Sequence, residues 1–142
     1  VERTLTATSV WAALKRGEVR PHRSWNVERR LGVVVRLPGD RSLVVAVKAL
    51  VDGVVSAAHY IEGDDVDELG SLVSNALRTR PQIATAWLTD HKAGVLGPRR
   101  LVLPRAGTFM WNPADDQVAA IRVERGPALE AEIWTLVPVI AD

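Results

Sequence analysis

His59 is followed closely by Asp64, Asp65 and Asp67, which sets an imidazole beside three carboxylates in a short span. Nitrogen and oxygen donors so grouped suit a divalent cation, or an acid working against a base. A second group, Asp90-His91-Lys92, places three ionisable side chains in succession between apolar stretches. Asp90 and His91 are therefore candidate general bases beside His59, on a loop, where functional groups concentrate. Both groups also have a plain structural use. Asp64 and Asp65 precede a periodic apolar run, where a side-chain oxygen caps a helix, and Asp67 and Glu68 fall in its first turn, where negative charge is favourable. No metal or cofactor is assigned on this reading.

Other chemistries lose their basis in the composition. The chain has no cysteine, which removes thiolate nucleophiles, disulfides and cysteine-held metals. The G-x-S-x-G elbow, the phosphate-binding loop, the dinucleotide fingerprint and H-E-x-x-H are missing from all 142 residues.

Two further sets of residues bind better than they react. Lys15, Arg16, Arg20, His22, Arg23, Arg29 and Arg30 surround Trp25. Guanidinium forks suit phosphates and an indole stacks on a base, so the stretch 15–36 is a candidate nucleic-acid surface. The five tryptophans stand against one Phe and one Tyr. Trp11 and Trp87 lie in apolar segments and are expected in the core, whereas Trp25, Trp111 and Trp134 sit in polar or turn contexts and are candidates for a binding surface.

The elements that must carry these residues follow from period and punctuation. A hydroxyl cap at Thr8 or Ser9, the apolar run to Leu14, then Lys15, Arg16 and Gly17 predict a short N-terminal helix. Leu31, Val33, Val35 and Leu37 alternate as a half-buried strand does. The valine-rich run 42–51, the pair Asp52-Gly53 and the run 54–61 read as two more strands joined by a tight turn, giving a three-stranded meander over 31–61. Val66, Leu69, Leu72, Val73, Ala76 and Leu77 share one helical face, predicting an amphipathic helix over 65–80 that covers the sheet and ends at Pro81. Ile83–Leu88, Leu101–Leu103, Thr108–Trp111, Gln117–Arg125 and Leu129–Val139 are expected as strands, the last with Leu129, Ala131 and Ile133 inward and Glu130 and Glu132 outward.

The expected fold is a single α+β domain over 1–142, mainly an antiparallel sheet. A helix and basic arm occupy 1–30, and the sheet with its covering helix occupies 31–142. With 47% hydrophobic and 25% charged residues the chain has ordinary globular composition. Its longest uncharged run, Thr4–Leu14, is too short to span a bilayer, so no membrane partner and a cytoplasmic site are expected. Charge comes in blocks: residues 1–36 carry eight Lys and Arg against three Asp and Glu, and residues 37–80 carry four against seven. Complementary blocks with a few exposed indoles fit a non-catalytic protein-interaction or assembly module, with another protein or a second copy as partner and with Trp25, Trp111, Trp134, Arg20, Arg23, Arg29 and Arg30 as contacts. The alternative is a small-molecule binder or pocket enzyme with a cavity between the sheet and helix 65–80, walled by Trp87, Trp111, His59 and Tyr60. Nucleic-acid binding through the arm is the third reading, and salt-dependent affinity is its signature.

Overall fold

The computed structural model describes residues 6–16, 20–21, 31–38, 43–92, 94, 96–114 and 118–135. In chain order they form α1 (Ala7–Arg16), β1 (Arg20–Pro21), β2 (Leu31–Leu37), α2 (Leu43–Ala57), α3 (Val66–Leu77), α4 (Pro81–Leu88), β3 (Val102–Arg105), β4 (Thr108–Trp111), β5 (Val118–Arg125) and β6 (Glu130–Thr135). The α+β class expected from the sequence holds. One sheet has the order β1-β6-β2-β5, and β3 and β4 form a separate hairpin. Pairing is mixed: β2 runs antiparallel to β6 and β3 to β4, whereas β2–β5 and β1–β6 are parallel.

The short N-terminal helix is present, capped at Thr6 and not at Thr8 or Ser9. Thr6 Oγ1 accepts the Ser9 N–H at 3.1 Å and Ser9 Oγ accepts the Thr6 N–H at 3.0 Å, so each hydroxyl satisfies the other residue's backbone donor.

The meander is overturned. Residues 43–57, most of the stretch read as two strands and a turn, form the single helix α2, and Tyr60 beyond it makes only an isolated bridge to Pro98. A long apolar run without alternation leaves strand and buried helix undecided, and length favours the helix. Lys48 and Asp52, one helical turn apart, join at 3.2 Å on the wet side of α2. Gly53 makes no turn. It lets α1 approach, because a Cβ there would lie 2.6 Å from Val10 Cγ1 and 2.8 Å from the Ala7 carbonyl oxygen.

The expected amphipathic helix is α3, burying Leu69 and Val73. Asp65 occupies its cap position but makes no side-chain cap bond. It packs chiefly on α4 and also on the β3–β4 hairpin, rather than lying over a meander. Arg78 closes α3 in the left-handed region at φ 55°. Pro81 then opens α4 at its first position, where a missing N–H costs nothing, so the strand expected over Ile83–Leu88 is a helix. Gly70 is the contact point between the two, since a Cβ there would strike Thr85 Oγ1.

β2 occupies the middle of the sheet. Val33 pairs with Ile133 and Val35 with Ala131, and these inward residues join Leu50, Val54 and Val55 of α2 in one contiguous apolar cluster. Outward positions of the same strands are Gly32, Val34 and Arg36, set against Glu132 and Glu130 on β6 and Ala120, Arg122 and Glu124 on β5.

Candidate functional site

The alternation of β2, β5 and β6 sends three small or short residues and several charges to the outer face of the sheet. Gly32 is paired with Ala120, so two neighbouring positions offer almost no side chain. Beside them a hollow of about 380 Å³ is floored by Gly32, Val34 and Ala120 and rimmed by Arg36, Arg122, Glu124 and Glu132. An apolar floor inside a polar rim is the anatomy of a protein contact surface.

Arg36 organises the rim. Its Nε meets Glu124 at 3.0 Å, and its Nη1 meets Glu132 at 3.4 Å and Glu130 at 3.6 Å. The hydrogen bond to Glu132 raises its pKa, burial opposes that, and the three carboxylate charges add to the rise. Arg122 is far less committed: its side chain is 77% exposed and stands 3.7 Å from Glu124.

β5 ends the sheet on this side, and among the described residues no strand pairs with its far edge. Such an edge presents backbone donors and acceptors in a row. Ile121, on the inward side of β5, is 40% exposed, because cover is incomplete at the margin of the sheet. A register shift between Leu31 and Gly32 bulges β5 at its start and leaves 120–125 as its regular part.

The residues singled out by chemistry are dispersed. His59 is buried, with Nδ1 3.2 Å from the Gly97 carbonyl oxygen, and its Nε2 has no hydrogen-bond partner among the described residues. Burial is the main cause that lowers its pKa; the Gly97 bond opposes this and the Arg99 charge adds to it. Asp64, Asp65 and Asp67 are exposed, and no group of three His, Asp or Glu side chains among the described residues is placed to hold a metal ion. His91 is exposed and meets the Tyr60 ring edge-on at 4.3 Å. Asp90 accepts the Lys92 N–H at 3.0 Å. It is also the carboxylate whose charge acts on Lys15, a lysine whose buried amine has no hydrogen-bond partner among the described residues and whose pKa falls to about 8 through desolvation, partly offset by Asp90.

Of the rings proposed as walls of a cavity, Trp87 and Trp111 pack instead against Trp11. Trp11, fully buried, meets Trp87 at 5.9 Å and Trp111 at 5.0 Å, and Trp111 meets Phe109 at 5.2 Å. Trp111 Nε1–H donates to Thr8 Oγ1 at 2.9 Å, and the Arg16 guanidinium lies 5.7 Å from the Trp87 ring centre. Trp11 belongs to the core, as expected, and Trp87 packs half-buried against it. Trp25, Arg23, Arg29 and Arg30 lie outside the described residues, as do the side chains of Arg20 and Trp134, although the ladder sets position 134 opposite Gly32.

Sequence reasoning missed the Arg36 hub. The alternation already sent Arg36, Glu130 and Glu132 outward, but nothing in the sequence made β2 and β6 neighbours across 94 residues of separation between Arg36 and Glu130. No family model, curated protein or solved structure matches the chain.

Proposed function

We propose that this chain is a non-catalytic protein-interaction module that receives an extended segment of a partner along β5, with a side chain of that segment seated in the hollow beside it. The observation that carries this reading is the coincidence of an unpaired strand edge, among the described residues, with an apolar hollow rimmed by charge. Strand addition takes affinity from main-chain hydrogen bonds and specificity from pockets for alternate side chains. Gly32 and Ala120 supply the pocket, and Arg122 and Glu124 supply charges of both signs on the strand itself. The non-catalytic part of the reading draws on His59, which is buried beside a carbonyl with no carboxylate bonded to it among the described residues, and on His91, which is exposed and meets a tyrosine ring.

The test is selection of peptides from a random display library, followed by amide exchange on the complex. Selected peptides are expected to slow exchange over 120–124, and Ala120→Trp, which fills the hollow, is expected to abolish the protection. Peptides that protect another surface, or that tolerate the filled hollow without loss, defeat the reading.

A further inference from the structure

A second hollow shares no lining residue with the first. It measures about 460 Å³, within the range of small-molecule sites, and lies between the start of α3 and residues 98–100. Its floor is apolar and fixed: Ile61 and Leu69 are 2% and 5% exposed, and Pro98 completes it. The walls are tied down by backbone bonds. The Ile61 N–H donates to the Leu88 carbonyl at 2.8 Å and the Arg99 N–H to the Tyr60 carbonyl at 3.0 Å, so the backbone here is fixed in advance and a ligand has only side chains to order.

Charge makes this hollow specific. Glu62, Asp65, Arg99 and Arg100 all line it, with residues 60–62 running beside 98–100, yet among the described residues no ion pair joins its carboxylates to its arginines. The Arg99 guanidinium is held by the backbone carbonyl and side-chain oxygen of Asn112, which fixes its position and leaves some of its five donors unused. The side chains of Glu62, Asp65 and Arg100 have no bonded partner among the described residues. A simple anion entering here meets arginine together with two carboxylates, and a simple cation meets the reverse. Only a molecule carrying both charges is attracted by the arginines and the carboxylates alike, and the apolar floor asks for a hydrocarbon body.

We propose that this hollow binds a small zwitterion with an apolar side chain, the chemistry of a free apolar amino acid, with its ammonium toward Glu62 and Asp65 and its carboxylate toward Arg100 and Arg99. The site is independent of the β5 edge and stands or falls without it.

L-leucine is the probe, with L-leucinamide and 4-methylpentanoate as matched molecules that lack one charge each. Titration followed by amide chemical shifts is expected to move Ile61, Glu62, Leu69, Arg99 and Arg100, with leucine binding more tightly than either comparator. Arg100→Gln should weaken leucine and 4-methylpentanoate by about fivefold, the worth of one exposed ion pair, and leave leucinamide unharmed. Glu62→Gln should do the converse. Both positions are exposed, so unchanged shifts elsewhere in the spectrum certify the fold. Absence of shifts with leucine at about 10 mM overturns the proposal. So does equal binding of either comparator, which would reveal a plain acidic or basic patch.

Discussion

Where α1, α4 and the β3–β4 hairpin meet, every element brings an aromatic ring, and the rings are spent on one another. Even the polar handle of Trp111 is returned to Thr8 of the neighbouring helix. The outer face of β2, β5 and β6 is built the other way. Its small residues pair with each other and leave a dent, three glutamates gather on Arg36 at the rim, and the edge of β5 stays open among the described residues. The contrast teaches that large amphipathic side chains do not by themselves mark a binding surface. An indole that can reach a second ring and an internal acceptor closes a junction, whereas glycine and alanine in register on a sheet create the space a partner needs.

If the junction is structural, its centre should be the most costly place to cut. Trp11→Ala removes a fully buried ring that packs on Trp87 and Trp111 and is expected to destabilise the fold by about 3 to 5 kcal/mol in urea titration. A loss no larger than that of a surface substitution would erase the distinction between the two regions.

The same junction harbours a cost of its own, in Lys15 at the end of α1. The folded-state pKa of about 8 lies below the ordinary 10.5, so between those values the unfolded chain holds the extra proton. Stability therefore rises as pH climbs from 8 to 10.5, and the full penalty applies below pH 8. Lys15→Met should stabilise the fold by something on the order of 2 kcal/mol at pH 7, a figure kept below the full shift because the residue is only partly buried. The gain should vanish above pH 10.5. A gain that persists there would trace to packing and not to charge. His59 works in the same sense at lower pH. Its folded-state pKa is depressed, so the unfolded chain takes up the proton first and stability falls as pH drops below 6.5. His59→Gln should flatten that acid limb in a series of melts across pH, and an unchanged limb would assign it to other groups.

How much of this contrast the sequence carried depends on the range of the interactions involved. Local devices were legible: the helix ending at Lys15 and Arg16, the face of α3, and the alternation of β2 and β6 that turns Arg36 and Glu132 outward. Valine-rich α2 was not, because its second half is buried nearly all round and loses the period that names a helix. Its one local clue was Lys48 four residues before Asp52, and Gly53 pointed toward a turn when its use was the contact with Val10. Pro81 likewise has two meanings, the end of one helix and the first residue of the next, and only the packing of Gly70 on Thr85 selects the second. The outer-face site depends on β2 lying between β5 and β6, strands far from it in sequence, and no period reports such an insertion.

The open face is sharpened most by a change that stability hardly notices. Ile121 is 40% exposed on an edge strand, and Ile121→Thr keeps the β-branched shape that suits a strand. Its effect on folding should stay within about 0.5 kcal/mol, as for surface substitutions generally. On the proposed mode, peptides selected on the parent chain lie along β5, so they should lose the apolar contact at its margin and bind the variant more weakly. A variant that binds undiminished would move the contact off β5, and one that unfolds would show that Ile121 belongs with the closed junction after all.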